Sequence, residues 1–173
     1  METVFLVKPS IEYQAEYLDF YEEWKTSGEL IVPWVVSKDP SDFEGMLQFL
    51  LESENQEALS ENWVPSSTFW LVTASKRVVG AVNIRHSLNE KLFNCGGHIG
   101  YGIRPAERRK GYATKLLSMA LEKTKELGIG KILVVCDESN IASEKTILKN
   151  GGMPDTSFTE GNGNVVKRFW ITN

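Results

Sequence analysis

A chain of 173 residues with 42% hydrophobic side chains has the length of one domain, 1–173, and enough apolar material for a core without disulfides or metal. Its formal net charge of -4 argues against general attraction to nucleic acid, and Cys95 and Cys136 form neither a disulfide framework nor a Cys-x-x-Cys motif. No apolar run approaches the roughly 20 residues of a membrane span, and METVFLVKPS has an acidic second residue, so the chain reads as soluble and cytoplasmic, with no membrane partner.

Residues Thr3 to Val7 read as a strand closed by Pro9. From Ile11 the spacing changes: Tyr17, Phe20, Tyr21 and Trp24 recur at i, i+3, i+4 and i+7, one face of a helix for which Ser10 is a candidate cap. A second helix is signalled by Asp39-Pro40-Ser41-Asp42, a capping residue and a first-turn proline, followed by Phe43, Met46, Leu47 and Leu50. Between them, Trp34, and later Trp63, could wall a pocket for the apolar part of a substrate or plug the edge of the core. Thr68 to Thr73 and Arg77 to Arg85 read as a hairpin turning at Ser75 and Lys76, which makes the middle of the chain an antiparallel meander.

The most informative stretch is HIGYGIRPAERRKGYATK, His98 to Lys115. A short apolar strand (Ile99, Tyr101, Ile103) runs through Pro105 into a basic loop, and a helix opens near Gly111. Unpaired backbone N–H groups and the positive end of a helix dipole then coincide, which makes an anion site. Arg104, Arg108, Arg109, Lys110 and Lys115 concentrate positive charge there on an acidic background, and neither a P-loop nor a Rossmann glycine motif is present. The helix carries Ala113, Leu116, Leu117 and Ala120 on one face and stops at Gly128, before Lys131 to Cys136, an apolar strand. Strand, helix, strand implies parallel neighbours. Asn140 reads as the cap of a further helix, and Thr156 to Glu160 with Val165 to Thr172 as a closing hairpin.

Arg108-x-x-Gly111-x-Ala113, preceded by Ile103-x-Pro105, resembles the Gln/Arg-x-x-Gly-x-Gly/Ala signature of the GNAT superfamily of N-acetyltransferases. The resemblance implies an α/β (α+β) GNAT fold: a mixed, mostly antiparallel sheet that splays at a parallel central pair. It also implies that the loop from Arg108 through Arg109, Lys110, Gly111, Tyr112 and Ala113 to Thr114 holds the pyrophosphate of acetyl-coenzyme A. Asn140 and the strand ending at Ile103 would hold the pantetheine arm. Ser143, three positions after Asn140, recurs in the branch resembling ribosomal-protein N-terminal acetyltransferases.

Acyl transfer to an amine requires a base, an oxyanion donor and an acid for the leaving thiolate. His98 is the first candidate base because imidazole titrates near neutrality, although the resemblance places Glu there more often. A main-chain N–H near Ile103 is the expected oxyanion donor. The Tyr usual for the acid is replaced by Ile147, and Gly152 replaces an aromatic residue, so Ser143 or a water is the expected acid, with Tyr101 behind them. The expected activity is acetyl-coenzyme A-dependent acetylation of a primary amine on a small molecule or a protein N-terminus, without a metal. The alternative is a coenzyme A-binding regulatory protein without turnover. A homodimer pairing through Val165 to Thr172 is a further expectation.

Overall fold

The computed structural model describes residues 1–173. Strands β1 (Val4–Val7), β2 (Ser66–Thr73), β3 (Val78–Arg85) and β4 (Ile99–Ile103) form one antiparallel sheet in the order β1-β2-β3-β4. A second sheet has the order β5-β7-β6, from β5 (Lys131–Asp137), β6 (Met153–Thr159) and β7 (Val165–Thr172). Helices α1 (Gln14–Ser27), α2 (Phe43–Glu52), α3 (Tyr112–Glu126) and α4 (Ile141–Lys149) complete the fold.

Alternation along β2 divides the first sheet between two cores, as a period of two requires. Phe69 and Leu71 join Leu116, Leu117 and Ala120 of α3. Trp70 and Val72 join Tyr17, Phe20 and Trp24 of α1, where the Tyr17 and Trp70 rings stack at 4.2 Å. The aromatic stripe of α1 is therefore core. Both faces of β2 and β3 are covered, which is why these strands read as nearly continuous apolar runs.

Local expectations are met with small shifts. Ser10 caps a short helical turn, Ile11–Tyr13, that precedes α1 rather than α1 itself, accepting from the Glu12 N–H at 3.3 Å. Asp42, not Asp39, caps α2 by accepting from the Gly45 N–H at 3.0 Å, and Pro40 lies before the helix instead of in its first turn. Asp39 closes the preceding turn by accepting from the Ser41 N–H at 2.9 Å.

The C-terminal strand departs from expectation. β7 lies in the centre of its sheet, paired with β5 on one side and β6 on the other. It has no open edge to offer a second copy, so a dimer built by pairing Val165 to Thr172 is excluded. The exposed strand is β6, which carries Pro154.

The two sheets meet at β4 and β5, which share no ladder. One main-chain bond joins them, His98 N–H to Leu133 O at 2.7 Å. Gly97 makes this approach possible: its φ is +66°, and a Cβ there would lie 2.6 Å from Leu133 O. Beyond that point no main-chain hydrogen bond joins the two strands, and this break in the ladder is the gap between the sheets.

Candidate active site

The loop between β4 and α3 is shaped by two left-handed residues, Arg109 at φ 61° and Gly111 at φ 88°. Such alternation turns successive N–H groups towards one concave side, a nest for an anion. The N–H groups from Arg109 to Thr114 have no hydrogen-bond partner within the chain, and the helix ladder begins only with Lys115 N–H to Gly111 O at 3.2 Å. A Cβ on Gly111 would meet only Met1 Sδ, at 3.6 Å, so glycine is required there by backbone conformation and by access to the main chain.

The basic residues of this stretch divide into scaffold and surface. Arg104 is buried and points away from the loop: its guanidinium donates to Glu23, to Asp19 at 2.9 Å and to Val78 O at 3.1 Å. Burial alone would raise the Glu23 carboxyl, but hydrogen bonds from Arg104 and from the Ala106 N–H, with the charges of Arg104 and Arg77, hold it below the usual carboxylate range. Glu23 thereby ties α1 to the turn that enters the loop. Arg108 folds back likewise, donating to Ile103 O at 3.1 Å and pairing with Glu29 at 2.5 Å, so only its main chain faces the nest. Lys110 pairs with Glu107 at 2.9 Å, and Glu107 also takes Arg77 at 2.8 Å. Arg109 and Lys115 are exposed and carry no ion pair. Tyr112 is buried in the core and Ala113 packs against it, while the Thr114 carbonyl accepts from Asn150 at 3.3 Å. These three residues therefore offer main-chain N–H groups to the nest.

The gap has two faces. Arg104 N–H bonds Val79 O at 3.0 Å and Arg85 N–H bonds His98 O at 2.7 Å, so even-numbered residues of β4 pair with β3. The peptide groups of Ile99, Tyr101 and Ile103 then point into the gap, and their side chains join the α3 core. There Tyr101 Oη lies 2.8 Å from Ser143 Oγ on α4, and burial pushes the Tyr101 phenol up to about 12. Asn140 caps α4 by accepting from the Ser143 N–H at 3.1 Å, leaving its amide NH2 without a partner in the chain. Burial raises the Cys136 thiol, on the β5 side, to about 11. Ile147 is fully buried, and a Cβ on Gly152 would lie 2.5 Å from its Cγ2. The two departures from the family pattern are thus one packing solution.

The opposite face of β4 carries Gly100 and Gly102, whose missing side chains allow close packing against it. A Cβ on Gly102 would lie 2.2 Å from Val32 O and 2.5 Å from the Trp24 ring, and one on Gly100 would lie 3.3 Å from Pro33. The segment after α1 crosses this face as a strap. The Trp34 and Trp63 rings follow it, 5.0 Å apart and each about half exposed.

His98 stands at the closed end of the gap, 6% exposed. Its Nδ1 accepts from the Leu133 N–H at 2.9 Å, where a continuous ladder would supply a carbonyl. The neutral ring therefore carries its proton on Nε2. Burial, and next the Arg85 charge, lower its pKa to about 4. Arg85, which sequence reasoning passed over as a strand-end residue, lies beside it and donates from Nη1 to Gly96 O at 3.0 Å and Gly97 O at 3.2 Å.

The comparisons with known proteins agree with this geometry. An acetyltransferase (GNAT) domain model matches residues 4–153. The ribosomal-protein-S5-alanine acetyltransferase of Vibrio fischeri superposes with a TM-score of 0.70 at 16% identity, over 98% of this chain and 92% of that one. The microcin C7 self-immunity acetyltransferase MccE, bound to acetyl-CoA and AMP, gives 0.69 at 16% identity over 98% and 92%. The dodecameric spermidine N-acetyltransferase of Vibrio cholerae gives 0.65 at 16% identity over 98% and 92%. No curated protein matches the sequence significantly. The structural likenesses concern the fold; the family model, spanning most of the sequence, establishes that the chain belongs to the GNAT acetyltransferases and is an acyltransferase of that family.

Proposed function

We propose that the protein transfers the acetyl group of acetyl-coenzyme A to a primary amine of a small molecule or a protein N-terminus. The observation that carries this reading is the run of six unpartnered N–H groups from Arg109 to Thr114, set beside a gap between two strands. A diphosphate fits the first and a narrow amide-bearing chain the second. When bound, acetyl-coenzyme A supplies the acyl thioester. The nest holds the diphosphate, with Arg109 and Lys115 adding exposed charge, and the Asn140 amide NH2 and the inward peptide groups of β4 hold the arm. The N–H of Ile103 is oriented to receive the developing oxyanion.

For the proton passed to the leaving sulfur, the Tyr101–Ser143 hydroxyl pair takes the place of the missing tyrosine: a phenol near 12 remains protonated at neutral pH, and Ser143 relays. His98 is not the base in this reading. Its Nδ1 lone pair is engaged by Leu133 and its Nε2 carries the proton, so it positions β4 and β5, and the amine reacts from its neutral fraction or through water. The fold neighbours include acetyltransferases named for spermidine and for a ribosomal protein, which supports an amine acceptor.

Thiol release from acetyl-coenzyme A, measured with a panel of amines and with mass detection of the products, tests the proposal. Amine-dependent release with a product 42 Da heavier, the mass of one acetyl group replacing a hydrogen (about 43 less 1), is the expected result. Calorimetric binding of coenzyme A without release on any amine would favour the regulatory alternative, and no binding heat would end both.

A further inference from the structure

Three arginines of this chain are not exposed: Arg85, Arg104 and Arg168. Arg104 has Glu23 and Asp19, and Arg168 has Asp155 at 3.1 Å. Arg85 has no carboxylate. Burial lowers its pKa from the usual guanidinium value with no opposing charge to restore it. Only Nη1 is engaged, by the carbonyls of Gly96 and Gly97, which holds the turn before β4. Nε and Nη2 make no hydrogen bond. The buried side-chain nitrogens lacking a partner are the indole nitrogens of Trp24 and Trp70, so the remaining edge of Arg85 opens to solvent.

The guanidinium lies on the side of β4 opposite α3. A Cβ on Gly100 would lie 3.4 Å from Arg85 Nη2 and 3.3 Å from Pro33. The guanidinium thus stands over the glycine face of β4, at the closed end of the gap, one to three residues from the inward peptide groups of Tyr101 and Ile103. At the rise of a strand this is about 3 to 10 Å. An Nε–Nη2 edge presents two parallel N–H groups spaced for the two oxygens of a carboxylate or a phosphate.

We infer that Arg85 binds an oxyanion group of the acceptor, which makes the acceptor a primary amine carrying a carboxylate or phosphate a few bonds from its nitrogen, as an amino acid does. This rests on the acetyl-transfer reading above and adds to it a specificity-determining residue.

The test uses matched acceptors: amino acids against their carboxamides, and aminoalkyl phosphates against the corresponding amino alcohols. Thiol release and calorimetry on the coenzyme A-saturated protein are the readouts. The wild type is expected to show at least about tenfold higher kcat/KM for the oxyanion member of one pair series, and the series that does so tells carboxylate from phosphate. Arg85→Gln is expected to bring both members within about twofold, mainly by raising KM for the anionic one, while Arg85→Lys retains part of the preference. Equal rates for charged and neutral members in the wild type, or undiminished preference in Arg85→Gln, would overturn the inference. The wild-type comparison and Arg85→Lys decide the matter should Arg85→Gln not fold. Wild-type protein that neither binds nor turns over acetyl-coenzyme A would remove the proposed function and this inference with it; transfer without charge preference would remove this inference alone.

Discussion

Two arginines mark the two ends of the β3–β4 strand pair, and their surroundings differ. Arg104, just after β4, is closed in by Glu23 and Asp19 of α1 and by Val78 O. Arg85, at the end of β3, shares one nitrogen with two carbonyls and has no counter-ion. Neutralised inside the chain, the first charge ties α1 to the loop between β4 and α3. The second retains its charge towards the space where an acceptor must come. A buried arginine with counter-ions and a half-buried one without any thus separate scaffold from candidate site more clearly than the density of basic residues in the sequence.

The largest effect expected from breaking this contrast is in Arg104→Ala. It leaves Asp19 without a cation and Glu23 with Arg77 alone, and should lower unfolding free energy by about 3 kcal/mol, measured by denaturant titration. Next is the histidine that clips the sheets together at the Arg85 end. With a folded pKa of about 4 against an ordinary 6.5, His98 binds fewer protons folded than unfolded between those values. Stability from this group is present above pH 6.5 and lost as pH falls towards 4, by on the order of 2 kcal/mol. Melting curves from pH 7 to 4 should show the fall, and His98→Asn should flatten it.

Gly111→Val should follow. A β-branched residue at φ 88° costs about 1–3 kcal/mol and covers the nest, so coenzyme A affinity measured by calorimetry should drop about tenfold or more. The smallest stability change is expected for Arg85→Gln, about 1 kcal/mol, because it leaves two carbonyls short of a donor and no carboxylate orphaned. A loss in Arg85→Gln as large as that in Arg104→Ala would mean that both arginines are scaffold.

Much of the fold was legible because its signals are local. The stripe from Tyr17 to Trp24, the hairpin at Ser75 and Lys76, and the helix that stops at Gly128 each follow from periodicity or turn chemistry within a few residues. So did the anion loop, whose left-handed Gly111 and unpaired N–H groups are properties of that short segment itself. The roles inside the site were less legible. Arg104 read as part of the basic loop because the carboxylate that removes it lies 81 residues earlier in the chain. His98 read as a candidate base, and the peptide N–H that its Nδ1 accepts from lies 35 residues later, out of reach of sequence reasoning. Arg85 gave no signal, since a lone arginine at a strand end is ordinary until its neighbours are known.

By itself the sequence determined the elements, the glycine turn and the helix start with its unpartnered N–H groups, since dihedral preference, side-chain periodicity and unsatisfied backbone donors are set by residues close along the chain. Only the tertiary structure decided that β7 is enclosed between β5 and β6, which arginines are neutralised and that His98 joins the two sheets. These depend on groups brought together from distant positions, and charge and hydrogen-bond capacity are distributed by spatial proximity.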